Sequence, residues 1–425
     1  MSAQSVRPMP DPNALSIAMV GTRGVPARYG GFETCVEEVG RRLADRGHRV
    51  VVYCRDVGGD RSARPDLPAE YRGMHLVHHG AMKRRTLETL SHTGLSVAHL
   101  ARHRTDVALV FNSANAPWLP VLRAARIPVA THVDGLEWQR AKWGPTGRRY
   151  YLASERLAVR WSDALIADAA GIQDYYTAKF GADTDLISYG APITGPAFDR
   201  IVELGLDPQG YHLVVARFEP ENHVDVIVEG YAASSAQRPL IVVGSAPYAD
   251  DYIRRVHDLG DSRVTFLGGV WDQDLLDQLY ANAYTYLHGH SVGGTNPSLL
   301  RAIGASAPTT AYDVVFNREV LGEAGLYFSS AADVARHVDA TEADAELTSS
   351  RRADSLLRAR AYDWDDVADR YEDLCRRLAG SRSGRRITPP ARAQTPALTV
   401  DDTRRPAEQD GPADHDGPTM RPLIG

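Results

Sequence analysis

The chain has 425 residues, of which 43% are hydrophobic and 24% are charged, and its formal net charge is −6. This length predicts two or three domains, and the composition excludes collagen, coiled coils and wholly disordered proteins. The negative charge argues against a protein that wraps nucleic acid, and three scattered cysteines argue against a disulfide framework. With no signal-peptide pattern and no long apolar run, the sequence predicts a cytoplasmic protein.

In the first half of the chain, predicted strands alternate with helical segments, the pattern of a parallel α/β domain. After a predicted flexible leader, residues 1–13, a short apolar run ends at Gly21 and leads into a helical pattern. Strands are predicted at residues 15–20, 49–54, 107–111, 127–132, 164–167 and 185–188, and helices at 35–44 and 151–161. We therefore predict a first domain over residues 14–190, ending in a hinge at Tyr189-Gly190-Ala191-Pro192.

The second half repeats the pattern and predicts a second domain over residues 191–362. Strands are predicted at residues 211–216, 239–243, 264–267, 283–287, 308–312 and 325–328, and helices at 223–233, 253–259, 275–281 and 299–305. A last amphipathic helix is predicted at 363–379, followed by a disordered tail at 380–425. The fold class is therefore α/β, with two doubly wound domains facing each other across a cleft.

Two motifs follow strands of the first domain. The glycines of Gly21-Thr22-Arg23-Gly24 and Tyr29-Gly30-Gly31 allow backbone N–H groups to approach an anion, unless they form only a structural turn. The segment Thr131-His132-Val133-Asp134-Gly135-Leu136-Glu137 offers general-base and hydroxyl-binding groups at a strand end. The alternative for this second motif is a core histidine followed by an aspartate that caps a helix.

Two further motifs follow strands of the second domain. Arg217, within Ala216-Arg217-Phe218-Glu219-Pro220-Glu221-Asn222, is placed to hold a diphosphate, unless it forms only an ion pair with Glu219 or Glu221. The run His288-Gly289-His290-Ser291-Val292-Gly293-Gly294-Thr295-Asn296-Pro297 predicts a second anion site, where Asn296 begins a helix. The two histidines lack the further ligands of a metal site.

A basic segment interrupts this acidic protein. Lys83, Arg84 and Arg85 follow two histidines, and leucines at positions 87, 90, 95 and 100 alternate with further basic residues. This combination is typical of an anionic membrane surface or an anionic acceptor site, and a solvated helix face is the alternative.

The four motifs in this order resemble the rhamnosyltransferase-like branch of glycosyltransferase family 4, in the GT-B superfamily. The resemblance covers about residues 15–375. It implies two Rossmann-like domains, a nucleotide-sugar donor bound mainly to the second domain, an acceptor bound mainly to the first, retention of configuration, and no metal or other cofactor. It also implies that the last helix crosses back onto the first domain.

From the motifs and this resemblance, we assign expected roles to individual residues. His132, Asp134 and Arg217 are the predicted catalytic residues, and Lys83, Arg84, Arg85 and Glu137 lie on the predicted acceptor or membrane side. The predicted donor-binding residues are Gly21, Arg23, Gly30, Gly31, Glu219, Asn222, Gly244, Gly293, Gly294, Thr295, Asn296, Ser298 and Arg301.

The sequence departs from the superfamily at one position of this donor site. Where relatives carry a glutamate that holds ribose hydroxyls, this chain has Arg301, and Arg offers only donors. Glu319 is the nearest candidate substitute for that acid, and also a candidate ion-pair partner of Arg301.

The expected function is transfer of a sugar, first of all rhamnose from dTDP-rhamnose, to a surface polysaccharide or its lipid-linked precursor. The expected partners are the donor, a saccharide or polyprenyl-linked acceptor and an anionic membrane surface on the cytoplasmic side, with no nucleic acid. A degenerate sugar-nucleotide-binding protein and a sugar-nucleotide epimerase or hydrolase of the same fold are the alternatives.

Overall fold

The computed structural model describes residues 13–27, 30–56, 67–82, 87–133, 135–195, 197–244 and 250–381. All of them belong to the first of two compact units of the chain, Met1–Arg385. The second unit, Arg386–Gly425, lies outside the described residues, as do nearly all of the predicted leader and tail.

The first sheet lies in the N-terminal half of the chain. Its strands are β1 (Ser16–Val20), β2 (Arg49–Asp56), β3 (Glu70–Tyr71), β4 (Met74–Gly80), β5 (Val107–Phe111), β6 (Val129–His132), β7 (Ala164–Ala167) and β8 (Asp185–Leu186). The helices between them are α1 (Gly31–Asp45), α2 (Glu88–Arg102), α3 (Leu119–Ala124), α4 (Pro145–Trp161) and α5 (Ala170–Phe180). The strand order is β3-β4-β2-β1-β5-β6-β7-β8, and all pairs except β3–β4 are parallel.

The second sheet is parallel throughout, in the order β11-β10-β9-β12-β13-β14. Its strands are β9 (His212–Val215), β10 (Leu240–Val243), β11 (Val264–Gly268), β12 (Thr285–His288), β13 (Thr309–Tyr312) and β14 (Leu326–Phe328). The helices are α6 (Asp199–Val202), α7 (Val224–Ala233), α8 (Asp250–Leu259), α9 (Gln273–Ala281), α10 (Pro297–Gly304), α11 (Val315–Leu321), α12 (Ala331–Ala343), α13 (Ala345–Ala359) and α14 (Trp364–Ser381).

The two sheets confirm the predicted doubly wound fold class. The inner strands β1, β5 and β10 are almost entirely apolar and buried, as is typical of parallel strands between helices. In each sheet the strand order reverses once, between β1 and β5 and between β9 and β12. Ligands of open α/β sheets bind beyond the carboxyl ends of the strands at such reversals. A ligand site is therefore expected at the loops after these four strands.

The last helix, α14, packs on α1 of the first half. Arg42 of α1 and Arg46, the C-cap residue of α1, form ion pairs with Asp365 and Glu372 of α14, at 2.6 and 2.9 Å. Beneath these pairs, Tyr371 is fully buried in a hydrophobic cluster with residues of α1, β1 and α10. The cluster therefore joins elements from both halves of the chain.

The structure corrects the sequence predictions in three places. The segment before the basic run is a strand hairpin, β3–β4, so the first two histidines of that run belong to β4. The leucines of α2 do not form one exposed stripe, because Leu100 is buried in the core while Leu95 is 52% exposed. The predicted helices also did not include α2, α3, α5, α6, α11, α12 and α13. Within the described residues, no helix combines the length and the apolar character needed to cross a bilayer.

Candidate functional site

The first glycine turn connects β1 to α1 at the carboxyl edge of the first sheet. Gly21 has φ +103°, and a β-carbon there would lie 2.4 Å from the carbonyl oxygen of Phe111. Arg23 is exposed, and its backbone N–H donates to Oε1 of Glu33 at 3.1 Å. Gly30, with φ +112°, precedes α1, which has no side-chain cap. The carboxylate of Glu33 lies against this turn, with its Oε2 2.3 Å from where a β-carbon at Gly30 would lie, so an anionic ligand at this helix end would have to displace it.

Glycines bring the two halves into backbone contact across the cleft. A β-carbon at Gly135 would lie 2.2 Å from Cα of Gly293, and one at Gly294 would lie 2.0 Å from Oδ1 of Asp168. A β-carbon at Gly31 would lie 3.0 Å from Cγ of Pro297. Only residues without a side chain fit at such distances, so the carboxyl edges of the two sheets face each other closely here.

The turn before α10 contributes to this contact and is internally ordered. Gly293 has φ +145°, and the hydroxyl of Thr295 donates to the carbonyl oxygen of Asp168 at 2.7 Å. Oδ1 of Asn296 accepts from the backbone N–H of Ser298 at 2.8 Å, which confirms Asn296 as the N-cap of α10. The turn is thereby fixed at the switch point of the second sheet.

The loop after β9 lies beside this turn. The side chain of Arg217 is 51% exposed, and its Nη1 lies 3.3 Å from Oε1 of Glu219. Nδ2 of Asn222 donates to the carbonyl oxygen of Arg217 at 2.7 Å, while Oδ1 of Asn222 accepts from Nδ1 of His290 at 2.7 Å. The Arg217–Glu219 pair anticipated from the sequence is thus present, and Asn222 ties this loop to the segment after β12.

The loop is also fixed through backbone contacts. The backbone N–H of Ser291 donates to the carbonyl oxygen of Glu221 at 2.9 Å. Gly244, which ends β10, has a backbone so close to β9 that a β-carbon would lie 1.7 Å from the carbonyl oxygen of Ala216. The strand ends around Arg217 therefore form one rigid platform.

His132 ends β6 and lies in an aromatic environment. Its ring is stacked on Tyr189 with 5.7 Å between the centroids, and it meets the ring of Phe32 edge-on at 5.0 Å. Burial lowers the pKa of His132 to about 3, so the imidazole is neutral near neutral pH. It has the burial of a core histidine, and its predicted role in catalysis stays a prediction.

Glu137 is buried and surrounded by donors. Oε2 of Glu137 lies 2.5 Å from Nε of Arg140, and Oε1 lies 2.8 Å from Nζ of Lys142. Trp143 donates its indole N–H to the same carboxylate at 3.2 Å. Burial alone would raise the pKa of Glu137, but Arg140 and Lys142 outweigh it and lower the pKa. Glu137 is therefore a charged anchor for its own loop.

Arg301 lies on α10 and pairs with α9. Its Nη1 is 3.1 Å from Oδ1 of Asp277, and burial raises the pKa of Asp277 although Arg301 acts against it. Glu319 does not pair with Arg301; its carboxylate accepts from the backbone N–H of Ala170 at 2.8 Å and caps α5 in the first half. The proposed ion pair between Arg301 and Glu319 is therefore wrong.

Some predicted residues lie outside the described part of the chain. Asp134 and the basic residues Lys83, Arg84 and Arg85 are among them. Among the residues that are described, no group of three or more His, Cys, Asp or Glu side chains is arranged to hold a metal ion.

Sequence reasoning missed two residues of the cleft, Arg140 and Asp168. Arg140 is 13% exposed, and its Nη1 lies 3.9 Å from Oε2 of Glu219 in the other half. Its position three residues after Glu137 is a helical spacing that could have drawn attention to it. Asp168 follows β7 directly, and its position at the carboxyl end of a predicted strand could have identified it as a candidate site residue.

Both halves of the chain match models of known protein families. Residues 30–190 match the family model described as a glycosyl transferase 4-like domain, and residues 210–344 match the model described as glycosyl transferases group 1. Together the two matches cover more than half of the chain. A relative from Escherichia coli, O-antigen chain mannosyltransferase B, is 25% identical over 166 residues, which are 37% of this chain and 43% of that protein. The chain thus aligns with less than half of the length of this curated relative.

Solved structures share the fold at low sequence identity. HepE of Anabaena in complex with UDP has 16% identity and a TM-score of 0.67, over 87% of this chain and 100% of HepE. Sucrose-phosphate synthase of Thermosynechococcus elongatus has 20% identity and a TM-score of 0.74, over 86% of this chain and 100% of that chain. The two halves of the chain thus each match a glycosyltransferase domain model, and the chain shares the GT-B fold of these solved structures.

Proposed function

We propose that this protein transfers a sugar from a nucleotide-sugar donor to a saccharide acceptor. One observation carries the proposal: Asn222 links the Arg217 loop to His290, which borders Gly293 of the 293–296 turn, and Pro297 after that turn faces Gly31 of the first half. A guanidinium group and several backbone amides at a strand reversal fit the diphosphate of a sugar nucleotide. The glycine contacts across the cleft fit an extended ligand held from both sides.

The proposed chemistry places negative charge where these donors converge. When the bond between the sugar and the diphosphate breaks, charge develops on the departing phosphate oxygen. Arg217 and the turn amides stabilise that charge, and preorganised donors of this kind are worth about 10²–10³ in rate. His132 and Asp134 contact the transferred sugar or the acceptor hydroxyl in this proposal. The reaction uses no resident cofactor and retains the configuration of the sugar.

Rhamnose from dTDP-rhamnose is the first donor to test. The sequence motifs support this choice through their resemblance to the rhamnosyltransferase-like branch. The relatives have other ligands and activities: HepE was crystallised with UDP and with UDP-glucose, and the Escherichia coli relative is a mannosyltransferase. The donor panel therefore includes dTDP-, UDP- and GDP-sugars.

The proposed acceptor is a surface polysaccharide or its lipid-linked precursor. The basic segment at residues 83–85 would hold it, or the membrane that carries it, on the side of the first domain. Each basic residue near an anionic surface contributes on the order of 1 kcal/mol. This part of the proposal would place the protein in the cytoplasm, at the inner face of the membrane.

A thermal-shift panel followed by transfer assays tests the proposal. One class of sugar nucleotide should raise the unfolding temperature, because a ligand that binds only the native state stabilises it by RT ln(1 + [L]/Kd). That donor should then label an isolated cell-envelope glycan only when the acceptor is present. Donor cleavage at full rate without acceptor, or stabilisation by no sugar nucleotide, would contradict a transferase.

A further inference from the structure

Two guanidinium groups approach one carboxylate from opposite sides of the cleft. Nη1 of Arg217, in the second half, lies 3.3 Å from Oε1 of Glu219. Nη1 of Arg140, in the first half, lies 3.9 Å from Oε2 of the same residue. The two cations thus bracket a single anionic group, each facing a different oxygen.

Arg140 is held in place by its own loop. It follows a short 3-10 turn, Glu137–Gln139, and its Nε lies 2.5 Å from Oε2 of the buried Glu137. Lys142 and Trp143 fix the other oxygen of Glu137. Because the inner edge of the guanidinium is anchored in this way, its terminal Nη1 is presented toward the second half.

The surroundings of the two cations are those of the proposed diphosphate site. Burial, together with the charges of Arg140 and Arg217, holds the pKa of His290 well below its usual value, so both cations act on this ring. A β-carbon on Gly293 would lie 3.0 Å from Nε2 of His290. Arg140 therefore acts on the same imidazole that borders the 293–296 turn.

We infer that Arg140 is a donor-binding residue, which holds the diphosphate of the sugar nucleotide together with Arg217, each from its own domain. Glu219 competes with the diphosphate for both guanidinium groups. The inference rests on the proposed function, because it takes the ligand to be a nucleoside diphosphate group. A diphosphate offers oxygens on two phosphorus atoms, and the planar fork of Arg binds such oxygens better than a lysine does.

A purely structural ion pair is the competing explanation for this geometry. Ion pairs with partly exposed members contribute about 0–1 kcal/mol, and a separation of 3.9 Å is long for one. The two explanations predict different effects on ligand affinity when the charge of Glu219 is removed. If the pair only holds the domains together, removing the Glu219 charge leaves ligand affinity unchanged or lowers it. If Glu219 competes with the diphosphate, removing its charge raises ligand affinity.

The experiment is a calorimetric titration of the full-length protein with UDP, dTDP and inorganic pyrophosphate. The variants are Arg140→Gln, Arg217→Ala, Glu219→Gln and the matched control Arg123→Gln, which removes a cation of the first half that pairs with Asp163. We expect Arg140→Gln to weaken the affinity for the best nucleotide by about 10- to 100-fold, the range for hydrogen bonds to charged groups. Glu219→Gln should tighten binding about threefold or more, an effect that shrinks with salt. Arg123→Gln should leave the affinity within about twofold.

The outcomes separate this inference from the proposed function. Nucleotide affinity that falls on Arg217→Ala but not on Arg140→Gln overturns the role of Arg140 and leaves the proposed function standing. Binding of none of the three ligands overturns both. If Arg140→Gln does not fold, Glu219→Gln decides alone, and unchanged or weaker binding by that variant overturns the inference.

Discussion

The carboxyl edges of the two sheets are built on the same topology and carry different chemistry. At the edge of the first sheet, neutral His132 packs among the rings of Phe32 and Tyr189. At the edge of the second, Arg217 pairs with Glu219, and Asn222 links the Arg217 loop to His290, which borders Gly293. A reversal of the strand order is thus common to both sheets, and the difference lies in the side chains that their loops carry.

The largest expected effect comes from removing Arg217, the cation at the carboxyl edge of the second sheet. We expect Arg217→Ala to slow sugar transfer about 10²–10³-fold, because it removes one preorganised donor to the leaving diphosphate. The assay is the initial rate of transfer at saturating donor. Arg336→Ala removes an exposed arginine that pairs with Asp333 in its own helix, and serves as the control. A near wild-type rate for Arg217→Ala would show that the donor site is elsewhere.

The next prediction concerns the close contact between the carboxyl edges of the two sheets. A β-carbon at Gly135 would lie 2.2 Å from Cα of Gly293, so Gly135→Ala must push the two halves apart. We expect a loss of about 1–3 kcal/mol in the free energy of unfolding, the range for overpacked sites, together with lower transfer activity. Urea denaturation measures the loss.

Gly144→Ala provides the control for this prediction. Gly144 also lies in the first half, has φ −70°, and would have no atom within 4 Å of an added β-carbon. This variant should stay close to the wild type in both stability and activity. Equal effects of the two substitutions would contradict the close contact across the cleft.

Buried histidines give both edges a common pH dependence. Burial lowers the pKa of His132, at the end of β6, and of His288, at the end of β12, to about 3. The unfolded chain takes up these protons near pH 6.5, so it binds more protons than the folded protein between about pH 6.5 and 3. Stability is therefore fully present above pH 6.5 and falls as the pH drops through this window.

The size of that pH dependence can be measured by substitution. Each buried imidazole contributes up to about 1.4 kcal/mol per pH unit. The free energy of unfolding, determined in urea between pH 6 and pH 4, should therefore depend less steeply on pH in His132→Phe and in His288→Phe, by a similar amount in each. A slope unchanged in either variant would mean that this imidazole is not held neutral.

The smallest expected effect concerns Arg301. Because Arg301 pairs with Asp277, Arg301→Glu would place two carboxylates side by side, and we expect weaker nucleotide binding and a loss of about 1 kcal/mol or less in stability. The double variant Arg301→Glu with Asp277→Arg should recover most of the stability. Tighter nucleotide binding by Arg301→Glu would instead mean that this position contacts the donor hydroxyls.

The sequence predicted the strands, the two domains and the strand-end motifs, because buried parallel strands and glycine turns leave strong local patterns. It did not predict the β3–β4 hairpin, whose first strand has only two residues. Nor did it predict the roles of Arg140 and Glu319. Arg140 approaches Glu219 from the other half, and Glu319 caps a helix that begins 149 residues earlier in the chain. Contacts of this kind arise only when the two halves fold together.

The central claim is that the second sheet binds the diphosphate of a sugar nucleotide at its carboxyl edge. A crystal structure with the nucleoside diphosphate that binds best, chosen from dTDP, UDP and GDP, tests it most directly. The account predicts phosphate oxygens within hydrogen-bond distance of the Arg217 guanidinium and of the backbone amides of the 293–296 turn. A nucleotide bound with its phosphates away from both would contradict it.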